Sequence, residues 1–465
     1  MTIHRIVPIT VVRGFLFLGV LVPLGLLACD DDPTGLELTP PILTVTPSQQ
    51  WAGGEVRISI TGDMFEDDEV VVAGTDTLEI FDRQSFLLGV RLPTDVNGST
   101  TLDVIRDGET LGSVTVEAFG FEEYRVYPVP MRDEITEFPI EWGVAVVSQA
   151  DGGGDTSEGF SWIHLSTGIS RHFSSTSDPN MGKLYRVGVD PVNGDLYYEW
   201  NGSYEVHKGK IIGGELVDLG WANLPCQRWG CEPLAGDIWV LHEGPFTCRV
   251  VTSPEGERCE TTHYPDPSEF WGDDPRWIAR LWSADIALIE QAALRMSTGQ
   301  LAYVLNWWNH PTGRIQGFNV ATDEGRGLFY ISNGGYDEEN EQAVMLIRTL
   351  RGDDGVVIRS VTIETSIDAE QADRNGEGVP DLAYDPDRDV LLVHRIETRT
   401  LEVRDPVTLE LKGEVALRDR PDGWYEAQVL VDPDTDHAFI VYSGAWKDGG
   451  PTQGTPVIAI RLPPM

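Results

Sequence analysis

A strand, an acidic turn and a second strand recur along most of this chain, and that unit limits the fold more than any other feature. The clearest copy is Ala427–Ser443, AQVLVDPDTDHAFIVYS. Val429 and Val431 alternate with polar residues, Asp432-Pro433-Asp434-Thr435-Asp436 forms the turn, and Ala438–Tyr442 is a second apolar run. Two β-rich runs around a Pro/Asp/Gly turn read as an antiparallel hairpin. Near-copies are Leu184–Trp200 and Pro380–Arg395; weaker ones are Trp229–Leu241, Ala292–Asn306 and Gly317–Ser332. Second hairpins are visible at Val344–Glu364 and Thr400–Leu417. Self-similar all-β units at roughly 40–50-residue spacing mark a β-propeller. The copies at Ala292 and Gly317 lie too close for two blades, so one is an outer hairpin. Seven blades are expected, with six to eight open.

In each turn the Asp is read as a cap and the Pro as a fixed φ, a structural task. Asp190-Pro191 with Asn193-Gly194 and Tyr197-Tyr198 resembles the turn of YVTN-type seven-bladed propellers, as do Asp385-Pro386 and Asp432-Pro433 without the Gly. That resemblance implies a superfamily fold and no particular activity. Tyr124–Val129 and Thr455–Leu462 are expected to meet in one blade and close the ring, which removes exposed sheet edges.

Pro41–Phe121 carries short strands at regular turn spacing, which argues for a small β-sandwich. Gly53-Gly54, Thr61-Gly62 with Phe65, Val70-Val71-Val72 and the late hairpin at Gly108 resemble the TIG/IPT immunoglobulin-like domain. That resemblance implies a spacer or adhesive module and brings no catalytic residues. The acidic run Asp63, Glu66, Asp67, Asp68 and Glu69 reads as a solvated loop.

Arg5 and Arg13 precede the apolar run Gly14–Leu27, broken at Pro23 and followed by Ala28-Cys29. A basic start, a short apolar run and a small residue before the cut describe a secretory signal rather than a membrane span. Leu26-Leu27-Ala28-Cys29 resembles the lipobox of bacterial lipoproteins, which implies acylation of Cys29 and stable anchoring. An acidic tether, Asp30–Pro40, follows. The resemblance leaves inner and outer membrane open.

The other cysteines are Cys226, Cys231, Cys248 and Cys259. An even cluster in an exported chain implies disulfides, of three connectivities, with sequential pairing the simplest. A zinc site is the rival, though no Cys-x-x-Cys is present. The same region is rich in tryptophan. Propeller strands use Trp as core, but Trp271, Trp307 and Trp308 stand as candidates for a ligand platform. Ser283–Arg295, with a capping Ser and helix formers, is expected to be the one α-helix.

Chain-wide there are 75 acidic and 34 basic residues, net charge −41. That excess disfavours nucleic acid and anionic lipid surfaces as partners. It serves either solubility or divalent-cation binding. No HExxH, GxSxG, Walker or dinucleotide motif is present. His164, His172 and His394 are read as structural. One acidic constellation stands out: Asp373, Asn375, Glu377 and Asp381, with the Val379 carbonyl and Gly376 and Gly378 between. Oxygens at alternate positions around glycines suit calcium. The run resembles the calcium loop of integrin-type FG-GAP repeats, departing at Glu377; a plain acidic loop is the other reading.

The expected organisation is a signal peptide at 1–28, a tether at 29–40, an Ig-like sandwich at 41–121 and a propeller at 122–465. The expected function is an exported, lipid-anchored binding or scaffold protein of a bacterial cell envelope. Its propeller would meet a protein or glycan. A lyase or glycosidase on the same scaffold is the alternative.

Overall fold

Each copied unit forms the hairpin its alternation dictates. The computed structural model describes residues 41–129, 135–140, 143–150, 159–174, 184–190, 193–200, 205–221, 231–235, 238–241, 246–253, 256–263, 278–289, 292–305, 315–337, 342–364, 379–417, 426–432, 434–443 and 454–464. Among the described residues a β-sandwich comes first, and seven four-stranded antiparallel sheets follow. We number these sheets as blades: 1 from Ile135 to Ser174, 2 from Leu184 to Trp221, 3 from Cys231 to His263, 4 from Ile278 to Val304, 5 from Ile315 to Glu364, 6 from Asp381 to Ala416 and 7 from Glu426 to Arg461. Blade 7 takes its fourth strand from the N-terminal side, where Phe121–Tyr127 pairs antiparallel with Thr455–Arg461. The strand exchange expected from Tyr124 and Thr455 is therefore present.

Apolar faces join each blade to the next. Trp162 and Phe160 of blade 1 pack with Tyr198 of blade 2, and Tyr197 of blade 2 meets Trp239 of blade 3 edge-on at 4.8 Å. Further clusters link blades 3 and 4, 4 and 5, 5 and 6, and 6 and 7. Val146 and Ile163 of blade 1 pack with Leu430 and Val441 of blade 7, so the ring closes. The first strands of neighbouring blades lie against one another around the axis, as with Asp381–Asp385 beside Glu426–Asp432.

Ser283–Arg295 is not an α-helix. A single 3-10 turn, Trp282–Ala284, leads into strands Ile286–Ile289 and Ala292–Arg295. Ile286 and Leu288 pack toward blade 5, while Ala287, Ile289 and Leu294 pack toward blade 3. Burial on both faces with period two is a central strand's demand, and it overrides helix propensity. The neighbouring copies resolve as expected: Ala292–Arg295 and Leu301–Val304 are the outer hairpin of blade 4, and Ile315–Asp323 opens blade 5.

The sandwich pairs the strands Ile42–Thr46, Glu55–Thr61, Leu87–Arg91 and Ile80–Gln84 in one sheet. The second sheet is built on Gly98–Arg106 and Glu109–Phe119. Alternating Val56, Ile58 and Ile60 face Leu102, Val104, Val114 and Val116 in its core. The acidic loop beside it is not wholly solvated. Glu69 is 1% exposed, held by Arg83 at 3.0 Å and Arg106 at 2.7 Å. Two guanidiniums offset the cost of burying that carboxylate. Arg106 also reaches Asp63, whose pKa is lowered first by the Met64 N–H and then by Arg106.

Residues Pro41–Met465 form one compact unit. The sandwich docks on the outer strand of blade 6, Leu411–Ala416: Glu414 N–H donates to the Ala52 carbonyl at 2.9 Å and Ala416 N–H to Thr94 at 2.8 Å. Trp51, Ala52 and Phe119 share a core with Val415 and Leu417. That edge strand is thereby covered rather than left open. Gly53 makes the approach achievable: its φ is +68°, and a Cβ there would sit 2.5 Å from the Glu414 carbonyl oxygen.

Candidate functional site: two unlike ends of the ring

In a four-stranded antiparallel blade, the first and third connections lie at one end and the second and fourth at the other. At the first end the turns are short and interlocked. Asp385 Oδ1 accepts the N–H groups of Asp387 and Arg388 at 3.0 and 3.2 Å. Asp432 and Asp323 make the same kind of turn, to Asp434 N–H at 3.1 Å and Arg326 N–H at 2.9 Å. The capping role read from the sequence is what these side chains perform.

The Arg at the fourth turn position then reaches the next blade. Arg326 pairs with its own Asp323 at 2.6 Å and with Asp389 of blade 6 at 2.5 Å. Arg388 pairs with Asp385 at 2.9 Å and with Asp436 of blade 7. One step back, Glu324 of blade 5 accepts the N–H groups of Trp282 and Ser283 of blade 4, both at 2.8 Å. Four consecutive blades are thus latched turn to turn. The Arg326 hydrogen bond, more than any other cause, holds the Asp389 pKa below its ordinary value. The sequence shows each Asp and its Arg three residues on; it does not show the partner blade.

The strand ends at the other end are joined by the long connections. Trp271 belongs to the one between His263 and Ile278, Trp307 and Trp308 to the one between Val304 and Ile315, and Asp373, Asn375 and Glu377 to the one between Glu364 and Asp381. All six lie outside the described residues, as do Cys29 and Cys226. Cys231 and Cys259 fall on strands of blade 3 whose side chains are not described. Cys248 is fully buried on the strand between them and is disulfide-bonded.

Val379 and Asp381 are described, and both are buried. Asp381 opens the inner strand of blade 6 and reaches across to blade 7, where its Oδ2 accepts the Val429 N–H. Burial pushes its carboxyl up to about 7, only partly opposed by the N–H groups of Val429 and Leu382. Next to it the Pro380 carbonyl accepts from Asn319 Nδ2 at 3.2 Å and from Ser332 Oγ, both of blade 5. Blades 5, 6 and 7 are tied at the start of this strand. One oxygen of Asp381 is committed to the backbone, so a calcium ion there would take the other. Among the described residues no three His, Cys, Asp or Glu side chains group as a metal site.

The histidines behave as read. His164 Nδ1 accepts from Thr167 N–H at 3.1 Å and lies 2.7 Å from Thr167 Oγ1. His172 Nδ1 meets Ser161 Oγ at 2.8 Å, and burial lowers its pKa. His394 Nε2 meets Tyr442 Oη at 3.3 Å. A group that the sequence did not single out lies on blade 2: Tyr198, His207, Asp218 and Trp221, clustered at its outer strand.

No family model matches the sequence, and neither does any curated protein. Solved structures show distant likeness. An auxiliary nutrient binding protein from Bacteroides ovatus is 10% identical, with 91% of this chain and 98% of that one covered at a TM-score of 0.31. The Cps50 (Swd1) β-propeller domain of Myceliophteria thermophila is 11% identical, with 74% and 100% covered at 0.43. Hydrazine synthase of Kuenenia stuttgartiensis is 12% identical, with 67% and 93% covered at 0.41. Likenesses this distant carry no function to this chain.

Proposed function

We propose that this protein is an exported lipoprotein of a bacterial cell envelope, anchored through Cys29, whose propeller binds a protein or glycan at its long-connection end. The observation that supports this most is the contrast between the ends of the ring. One end spends its carboxylates and guanidiniums on latching blades together. The other joins its strands with the connections that hold Trp271, Trp307, Trp308 and the acidic run at Asp373. Loops set on a rigid scaffold are where binding residues concentrate. The docked sandwich, read as a TIG/IPT-like spacer, then moves with the propeller as one body on the tether. Among the described residues no helix is long and apolar enough to cross a membrane.

The test compares two groups of variants on a glycan array and against envelope proteins of the host. Replacing Trp271, or Trp307 with Trp308, by Ala should abolish binding that Trp282→Ala, at the latched end, leaves intact. Equal binding by both groups would sink the reading. Anchoring is tested separately: Cys29→Ser should move the protein out of the membrane fraction.

Calcium belongs to the same end. Asp373, Asn375, Glu377 and the remaining Asp381 oxygen, with the Val379 carbonyl, would form a site of roughly 10⁻⁴–10⁻³ M affinity, as extracellular modules do. Such an ion would fix the start of the inner strand of blade 6 and raise stability by mass action. A thermal midpoint of ion-free protein that millimolar calcium does not raise would reduce the run to an acidic turn.

A further inference from the structure

The outer strand of blade 2, Glu215–Trp221, ends in an irregularity with a chemical consequence. Gly209 pairs with Asp218 and Lys208 with Gly220, so Leu219 is an extra residue in the ladder. Gly220, at φ +98°, carries the chain through the bulge. Bulges at sheet edges re-aim the side chains beyond them. Here the residue beyond is Trp221, turned onto His207 with ring centroids 5.5 Å apart and a 40° tilt. His207 in turn stacks on Tyr198 at 5.9 Å and 29°, and Tyr198 is buried against Phe160 of blade 1. Three aromatic rings step from the core between blades 1 and 2 to the surface. The last of them, Trp221, is 68% exposed.

The ladder is fixed from the side. Both Asp218 oxygens lie 3.2 Å from His207 Nδ1, and Oδ1 also accepts the Gly220 N–H at 2.9 Å. Burial acts to raise the Asp218 pKa, but the Gly220 N–H and His207 outweigh it and hold the group ionised. Its side chain remains 40% exposed. The result is an indole with one face backed by His207, a charged acceptor on the same strand and, among the described residues, no second aromatic wall. Toward the hairpin turn, Arg171 of blade 1 and Glu215 of blade 2 meet across the same seam at 3.8 Å.

We propose that this seam between the outer strands of blades 1 and 2 is a carbohydrate subsite. It takes one neutral hexopyranose unit of a polysaccharide, with Trp221 as stacking platform and Asp218 as hydrogen-bond acceptor. A pyranose presents a flat face of C–H groups to an aromatic plane, and its equatorial hydroxyls project at the rim, where a carboxylate accepts them. A compact cation would favour enclosure by several rings, which the described residues do not provide. The net charge of −41 repels uronate-rich or sulfated chains and selects neutral ones. The ring stack keeps the platform in place before binding, which cuts the ordering cost. Trp221 closes the fourth strand of blade 2, on the outer wall at the long-connection end, and the site rests on its own ring stack rather than on Trp271, Trp307 or Trp308.

The experiment is affinity electrophoresis of the full mature chain in native gels. Each gel holds one neutral polysaccharide (galactomannan, xyloglucan, laminarin, arabinoxylan or soluble starch), with alginate as the anionic control. Wild type should be retarded by at least one neutral polymer and not by alginate. Trp221→Ala should weaken that retardation at least about tenfold, as loss of an aromatic anchor does. Trp221→Phe should keep part of it, and Asp218→Asn should weaken it. Trp282→Ala removes another exposed indole, on the latched end of blade 4, and should match wild type. Thermal midpoints show whether each variant is folded; should Asp218→Asn not be, the Trp221 pair decides alone. Wild type unretarded by every neutral polymer overturns the proposal, and so does Trp221→Ala retarded like wild type. Retardation lost in Trp307→Ala, Trp308→Ala but kept in Trp221→Ala would place sugar binding on the connection after Val304 and also overturn it. Protection of Trp221 from N-bromosuccinimide by choline and not by a retarding polymer would overturn it in favour of a cation.

Discussion

Removing the Arg388 side chain should unlatch blades 6 and 7. Its Nη1 lies 2.9 Å from Asp385 Oδ2, its Nη2 meets Asp436 in the next turn, and its Nε donates to the Pro463 carbonyl at 2.5 Å. The pair is buried, with side-chain exposures of 6% for Arg388 and 1% for Asp385. In Arg388→Ala the Asp385 carboxylate stays buried and loses its cation, a change that typically costs about 3–5 kcal/mol. Asp385 Oδ1 keeps its two N–H donors, and Asp436 is half exposed and returns to water. The low end, about 3 kcal/mol, is therefore expected. The control is Arg351→Ala. Arg351 forms the same i,i+3 pair with Asp354, but both side chains are about half exposed, and such pairs contribute little. Urea unfolding followed by near-UV circular dichroism should show a clear drop in midpoint at unchanged slope for Arg388→Ala. Arg351→Ala should fall within error of wild type. The deficit of Arg388→Ala should persist in 1 M salt, since a buried pair is screened far less than an exposed one. Indistinguishable midpoints for the two variants would refute the latch.

Gly53→Ala forces a Cβ to 2.5 Å from the Glu414 carbonyl at φ +68°; limited proteolysis should then cut faster between Phe119 and Phe121, where sandwich meets propeller. Asp405, whose carboxyl is held at about 2 because Lys412 and the Thr408 and Val407 N–H groups outweigh its burial, contributes stability above its unfolded pKa of about 3.9. That contribution is lost as pH falls through about 2, so Asp405→Asn should lower the neutral-pH thermal midpoint and flatten its decline between pH 4 and 2. Cys248→Ser should cost about 2–4 kcal/mol of stability if its disulfide follows the usual pattern, and denatured, unreduced protein should then show a newly reactive thiol.

The hairpins were legible because period-two alternation and Asp-Pro turns are local signals. Val429, Val431, Ile440 and Tyr442 announce their strands with no knowledge of the partner blade. Where a local signal met a non-local demand, it misled. Ser283–Arg295 carries helix formers, yet blades 3 and 5 bury Ala287 and Leu288 on opposite faces. Glu69 sits in an acidic run that reads as solvated, but Arg83 and Arg106 arrive from strands far along the chain. Trp221 was written in a plain strand, LVDLGW; only the bulge at Leu219 and the ring of His207 make it a platform.

These cases bear on what the acidic excess is for. Asp323, Asp385, Asp389, Asp432 and Asp436 are all engaged at the latched end, as turn caps or as partners of Arg326 and Arg388. In blade 6, Glu402 is buried between Arg395 at 3.0 Å and Arg404 at 2.7 Å. A carboxylate so placed is neutralised by geometry and has little left to offer a ligand. Net charge therefore overstates the capacity for cations, because part of the excess is fold. The carboxylates that remain candidates for recognition are the run proposed at Asp373, and Asp218, which is tied to His207 and the Gly220 N–H yet keeps its side chain 40% exposed. For both, binding would act on a blade already fixed by its neighbours, which is the condition under which a loop or an edge can be specific.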